Sequence, residues 1–231
     1  MQTAKLGSYT VYFENGEEYH RIKREVWGAN GYYFESEKEK PVIIDAGAHI
    51  GLTTLYFKRL FPDSTIIALE PHPDNAKLFR KNMFENQIEG VTLEEIALAE
   101  YEGEKEFFYD ETEEKWYSTA GFVRGAWNKT QESKRIIVQT KTLDDYLEIY
   151  RPDLVKLDIE GAEEKVIVAA KDSLSKCPHY LIEFHPVEGV GMERIIRVFE
   201  ERGFRVTVSK GGKIVPWQKA IGLSFIEAVK N

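Results

Sequence analysis

The chain has 231 residues, 42% of them hydrophobic and 30% charged, with a formal net charge of -8. That length and apolar content suit one α/β domain with a real core, and the acidic balance argues against a broad nucleic-acid footprint, which needs a basic face. Cys177 is the sole cysteine, so no intrachain disulfide can form and a reducing, cytoplasmic compartment is the expectation.

The N-terminus lacks the basic, apolar and small-residue succession of a signal peptide. No apolar run approaches the ~20 residues needed to span a bilayer, so no membrane partner is expected. Internal repeats are absent, and nothing in the sequence sets the oligomeric state.

Residues 1–40 are polar and aromatic-rich and read as a short β-rich or irregular N-terminal cap ahead of a domain at 41–231. From Pro41 onward, strand-like and helix-like segments alternate, which predicts a mostly parallel sheet with helices on both faces. Val42–Ala46 is a continuous apolar run, as expected of a strand buried on both faces. Leu52–Phe61 has helical spacing, and Thr65–Leu69 is a second strand. A helix over Asn75–Phe84 is expected, capped by Asp74 and ended near Asn86.

Val91–Ala99 reads as a third strand and Lys105–Tyr109 as an extra one. Residues 110–135 look irregular. Ile136–Thr140 follows as a short strand, then a helix over Leu143–Ile149 capped by Thr142. Leu154–Leu157 is a strand, Glu163–Ala170 a helix, Tyr180–Phe184 a strand, and Met192–Arg202 an amphipathic helix closed by Gly203. Phe204–Val208 and Leu223–Ala228 are expected to pair antiparallel, joined across Gly211-Gly212.

The first strand runs into Asp45-Ala46-Gly47-Ala48-His49-Ile50-Gly51. In open α/β sheets, ligands bind beyond the carboxyl ends of the strands. Gly47 permits a sharp turn without a Cβ, and Gly51 permits close packing at the helix start. Backbone N–H groups there favour a carboxylate. His49 occupies the position at which a dinucleotide fingerprint carries its middle glycine for a pyrophosphate. That favours S-adenosylmethionine, which carries an amino-acid tail instead. Asp45 is expected to attract the tail's ammonium, directly or through water. Glu70, at the end of the second strand, is placed to accept hydrogen bonds from ribose hydroxyls. Backbone near Ala97 and Leu98, at the end of the third strand, is expected to touch adenine.

A second constellation is Asp153-Leu154-Val155-Lys156-Leu157-Asp158-Ile159-Glu160-Gly161-Ala162-Glu163, with Leu181-Ile182-Glu183-Phe184-His185-Pro186. Each begins as an apolar strand and ends in acids. If the strands are neighbours, Asp158, Glu160, Glu183 and His185 converge beside the cofactor's sulfonium. Methyl transfer to a hydroxyl gains from alignment and from a base. His185, with an unperturbed pKa near ~6.5, is the expected base, and Asp158 and Glu160 are expected to orient the acceptor. The plainer reading makes Asp158 a helix cap and Glu163 a solvated helix residue. The same groups suit a divalent metal, but their spacing matches no diagnostic ligand motif, so none is assigned. Trp27, Tyr32, Tyr33, Trp116, Tyr117 and Trp127 are candidates for an acceptor pocket or lid, or for ordinary packing.

These motifs resemble the FkbM family of S-adenosylmethionine-dependent methyltransferases over roughly residues 41–185. Asp45 to Gly51 looks like the family's first motif, in which the position of His49 is usually Asn. Leu69-Glu70-Pro71 with Asn82 and Asn86 is similar to its second. Lys156 to Glu163 is the nearest and most specific match, and Ile182 to His185 fits the strand after it.

The resemblance implies a class I methyltransferase (Rossmann-like) fold: seven strands in the order 3-2-1-4-5-7-6, with strand 7 antiparallel. It also implies O-methylation of a small molecule or glycan. A nicotinamide-dependent oxidoreductase is the alternative enzyme, against which the missing middle glycine speaks. A non-catalytic binding module on the same fold is the alternative of another class, and an RNA acceptor is disfavoured by the acidic balance.

Overall fold

The computed structural model describes residues 1–28, 31–109, 120–124, 133–187 and 189–230. The chain opens with strands β1 (Gln2–Leu6) and β2 (Tyr9–Phe13), helix α1 (Gly16–Lys23) and one π-helical turn. It continues through β3 (Val42–Ala46), α2 (Leu52–Leu60), β4 (Thr65–Leu69), α3 (Pro73–Glu85), β5 (Val91–Glu94), β6 (Ile96–Leu98) and β7 (Gly103–Tyr109). Then come β8 (Lys134–Lys141), α4 (Leu143–Tyr150), β9 (Leu154–Leu157), α5 (Glu163–Ala169), β10 (His179–Phe184) and α6 (Met192–Glu200). Strands β11 (Phe204–Lys210), β12 (Lys213–Ile214) and β13 (Ser224–Lys230) close the chain.

The main sheet has the order β12-β11-β13-β10-β9-β3-β4-β5. Strands β3, β4, β5, β9 and β10 are parallel, whereas β13 runs antiparallel between β10 and β11. This is the expected 3-2-1-4-5-7-6 order with one short strand added at the edge.

Alternation along the strands sends residues to opposite faces. Ile44, Leu69, Val155 and Ile182 pack with α4, α5 and α6, while Ile43, Ile66, Leu154 and Leu181 pack with Tyr56 and Phe57 of α2. Helices therefore cover both faces, as expected. Among the described residues, no helix is long and apolar enough to cross a membrane.

Four local expectations are corrected. The run Val91–Ala99 is two strands in two sheets: β5 pairs with β4, whereas β6 joins β8 and β7 in a separate three-stranded sheet. The junction is pinned at Glu94, whose carboxylate accepts hydrogen bonds from Lys141 Nζ (2.9 Å) and Tyr146 OH (2.7 Å). Helix α3 starts at Pro73, with His72 at its cap position; Asp74 instead supplies an acid to the first turn, where it suits the macrodipole. Gly211-Gly212, both at positive φ, form the two-residue hairpin from β11 into β12, not a direct link to the last strand. The fourth correction is α1, a helix inside the region expected to be β-rich or irregular. The Asn15 side chain accepts from Glu18 N at 2.9 Å and starts it.

The N-terminal hairpin is held to the body by α3. Asn82 Oδ1 accepts from Tyr12 N (2.7 Å), and Asn82 Nδ2 donates to Ile50 O (2.8 Å). Asn86 Oδ1 accepts from Thr10 N, and its Nδ2 donates to Thr10 O, both at 2.8 Å. These amides stand where a neighbouring strand would otherwise be.

Candidate active site

The tips of β3, β4, β9 and β10 meet at one edge of the sheet, and the loop after β3 shapes it. Gly47 has φ +74°, and a Cβ there would lie 1.8 Å from the Asp158 carbonyl oxygen. Only glycine allows that approach. Gly51 has φ +93°, and a Cβ there would meet Met83 Cε at 2.8 Å. Its smallness serves packing against α3, and Gly51 does not line the cavity described below. His49 takes positive φ (+49°) and points its backbone N–H at Glu70 Oε2, 2.8 Å away.

Glu70 is the anchor of this end. Besides the His49 contact, its Oε1 accepts from His72 N (2.9 Å) and Asn75 Nδ2 (3.3 Å). Burial raises its pKa, opposed by the nearby His49 ring and these donors. The His49 ring lies 3.6 Å from Glu18 Oε1. Burial opposes its charge, but Glu18, Glu70 and Asp158 outweigh that and raise its pKa.

A cavity of about 250 Å3 opens over these tips. One end is lined by Glu70, Pro71 and Ile96–Leu98, so Ala97 and Leu98 border the cavity from β6 and not from the end of a third strand of the main sheet. The other end is lined by Asp158, Glu160, Glu183 and His185. His185 Nε2 lies 3.8 Å from Asp158 Oδ1, 3.7 Å from Glu160 Oε2 and 4.0 Å from Glu183 Oε1. The convergence expected from the two motifs is present, because β9 and β10 are direct neighbours.

One expected role changes, and the plainer readings of Glu163 and Asp158 do not hold. Asp45 does not reach the cavity. It is fully buried, accepts from Thr54 Oγ1 (2.7 Å) and pairs with Lys156 Nζ (3.2 Å), so the ammonium it faces belongs to the protein. Glu163 is not solvated but fully buried. Its Oε1 accepts from Ile159 N (3.3 Å) and Gly161 N (3.1 Å) and lies 3.0 Å from His185 Nδ1. Nor does Asp158 cap α5, whose cap position is Ala162.

His185 is also no free base at neutral pH. Burial works against its charge, but Glu163, Glu160 and Asp158 lift its pKa to about 10. Glu183 moves the other way from an ordinary carboxylate. Burial and Asp158 push it up to about 7, against His185 and a hydrogen bond from Tyr32. Burial, Asp158 and the neighbouring glutamates raise Glu160 well above the usual range, against the pull of His185.

Sequence reasoning missed the role of one residue and the partner of another. Lys156 is fully buried and donates to the carbonyls of Ala46 (3.1 Å) and Gly47 (2.7 Å), bracing the glycine loop from below. Its signal was a charge inside the apolar strand Leu154–Leu157. Tyr32, one of the aromatic candidates for the pocket, does line the cavity; what went unforeseen is its bond to Glu183 Oε2, to which it donates at 2.7 Å. Only its membership of an aromatic-rich segment hinted at this. Trp27 belongs to the packing instead: it donates to Leu52 O and meets Tyr9 and Tyr56 edge-on. Tyr33 is exposed. Trp116, Tyr117 and Trp127 lie outside the described residues.

A family model described as the methyltransferase FkbM domain matches residues 45–206. The chain belongs to the FkbM methyltransferase family. Similar relatives include Methyltransferase 1 of Beauveria bassiana, 26% identical over 82% of this chain and 82% of that one. Methyltransferase sdnD of Sordaria araneosa is 27% identical over 80% and 82%. The 2-O-methyltransferase NoeI of Sinorhizobium fredii is 29% identical over 66% of each chain. Among solved structures, an FkbM methyltransferase from Methylobacillus flagellatus superposes with a TM-score of 0.53 at 12% identity, over 84% of this chain and 45% of that one. M. jannaschii TYW2, solved with AdoMet, superposes at 0.52 and 14% identity over 99% and 84%. At those identities the likeness concerns the fold.

This FkbM methyltransferase is S-adenosylmethionine-dependent, and its site fits that cofactor. The loop at Gly47 has no room for a side chain, a carboxylate lines the cavity at the end of β4, and the wall beside it at Ile96–Leu98 is apolar.

Proposed function

We propose that this enzyme methylates a hydroxyl of a small molecule or glycan. The observation that carries the reading is the two-ended cavity: Glu70 at one end, and Asp158, Glu160, Glu183 and His185 at the other. The cofactor supplies an electrophilic methyl group on sulfur. Gly47 and His49 shape the loop for its amino-acid tail, Glu70 takes the ribose hydroxyls, and Ala97 and Leu98 flank the base. Asp45 acts through Lys156 and not by contact.

At the acceptor end, Glu183 takes the hydroxyl proton as the oxygen–carbon bond forms and the sulfur–carbon bond breaks. A carboxylate with pKa about 7 is matched to that task near neutral pH. Asp158 and Glu160 orient the acceptor, and His185 keeps these acids from repelling one another. Residues 1–40 act as a cap on the domain at 41–231, with Tyr32 reaching in to hold Glu183. The name of NoeI, a 2-O-methyltransferase, supports oxygen as the acceptor atom, and the acidic wall supports a compact acceptor over a nucleic acid.

The test is incubation with cofactor labelled in its methyl group and a panel of sugars, glycolipids and hydroxylated metabolites. Mass spectrometry then locates the label. Label on an acceptor oxygen is expected. Label only on nitrogen, or only on RNA, overturns the reading.

A further inference from the structure

We propose that Asp158, Glu160 and His185 form a binding site for one divalent cation of the Mn2+/Mg2+ class, which holds the acceptor hydroxyl beside the transferred methyl. The cation site stands independently of the transferase reading; only its role toward the acceptor rests on it.

Geometry is the first argument. One ligand atom from each of these three residues can be chosen so that all lie within 4.8 Å of one another. His185 Nε2 is 3.8 Å from Asp158 Oδ1 and 3.7 Å from Glu160 Oε2, too far for hydrogen bonds. Ligands about 2.1 Å from a shared ion lie about 3.0 Å apart when cis and about 4.2 Å when trans in an octahedral site. The two separations to Nε2 lie within the trans value, and each carboxylate reaches a cis position by closing less than about 1 Å. Two carboxylates with one imidazole are also a chemically suitable set, since carboxylate and water favour Mg2+ and Mn2+ while imidazole favours the transition ions. Mn2+ accepts both.

The second argument is the support behind the ligands. A metal-bound histidine characteristically gives its other ring nitrogen to a carboxylate. Here Glu163 Oε1 stands 3.0 Å from His185 Nδ1, which turns Nε2 toward Asp158 and Glu160. The same oxygen accepts from the backbone of Ile159 and Gly161, so one buried carboxylate fixes both the imidazole and the loop that carries the two acids.

The third argument is charge. Asp45, Asp158, Glu160, Glu163 and Glu183 gather around Lys156 and His185. Glu163 is fully buried, and among the described residues its Oε2 finds no hydrogen-bond partner. Buried charge of one sign calls for protons or a cation, and the spacing around Nε2 suits the cation. The ion's remaining positions face the cavity, where an acceptor hydroxyl can occupy one.

The experiment is titration of Mn2+ into the full chain, with free Mn2+ read by electron paramagnetic resonance and S-adenosylhomocysteine binding measured separately by calorimetry. One Mn2+ per chain is expected, and Asp158→Asn and Glu160→Gln should each weaken it by about tenfold or more. If Asp158→Asn fails to fold, Glu160→Gln carries the comparison. No Mn2+ binding to the unaltered chain at millimolar concentration, or unchanged affinity in a folded variant, overturns the site. S-adenosylhomocysteine binding without Mn2+ binding sinks the cation and leaves the transferase reading intact; the reverse result sinks that reading and leaves the cation.

Discussion

Lys156 Nζ sits 3.2 Å from Asp45 Oδ1, and both side chains are shut away from solvent on adjacent strands of the central sheet. The pair sits directly under the glycine loop, because Lys156 also donates to the carbonyls of Ala46 and Gly47. Burial opposes the lysine's charge, yet Asp45, Asp158 and Glu183 more than restore it. Removing one partner strands the other. Lys156→Met should therefore cost about 3–5 kcal/mol in unfolding free energy, measured in urea. The double variant Lys156→Met/Asp45→Asn should recover a large part of that loss, since Asn keeps a bond to Thr54 without a charge. Equal stability of the single and double variants would show that the ion pair does not hold the loop.

Glu70 collects three donors with two oxygens and still borders the cavity. Its remaining acceptor capacity is what a ribose would use. Glu70→Ala should weaken S-adenosylhomocysteine binding by about 2–3 kcal/mol, the scale of hydrogen bonds to a charged group. Calorimetric titration measures this, and an affinity within about twofold of the parent would remove Glu70 from the cofactor site.

How much of this was legible beforehand depends on whether the signal was local. The strands β3, β4, β9 and β10 announce themselves as short apolar runs, and the acids that end them follow by adjacency, so Glu70, Asp158, Glu160, Glu183 and His185 could be placed from the chain alone. The roles of Asp45 and Glu163 could not. Each depends on a partner far away in sequence: Lys156 for Asp45, His185 for Glu163. Tyr32 reaches Glu183 across 151 positions, and no periodicity encodes such a contact. The break between β5 and β6 was hidden for a related reason. Glu94 looks like one more strand residue until Lys141 and Tyr146 arrive to bind it.

Tyr32→Phe tests the proton acceptor. The Tyr32 hydroxyl bond favours the ionised form of Glu183, whose pKa is about 7. Without that donor the pKa rises further. The base form is lost as pH falls through the pKa, so the acidic limb of kcat/KM against pH should move to higher pH by about one unit. Turnover below that limb drops, whereas turnover well above it is retained. A merely structural tyrosine would lower activity at all pH values without moving the limb.

His72 gives the fold a pH dependence of its own. It is buried beside Tyr109, with ring centroids 4.7 Å apart. Burial is the main cause that drops its pKa to about 4, helped by the nearby His49 and opposed by Asp74 and Glu18. The unfolded chain takes up a proton at this position near pH ~6.5, while the folded chain resists until about 4. The neutral ring's contribution is therefore complete above the unfolded pKa and is lost progressively as pH falls toward 4. It amounts to about 3 kcal/mol over that window. His72→Gln should flatten this part of the curve of unfolding free energy against pH. Urea melts at pH 7, 5.5 and 4 would show it, and parallel curves for parent and variant would mean that another group sets the acid limb.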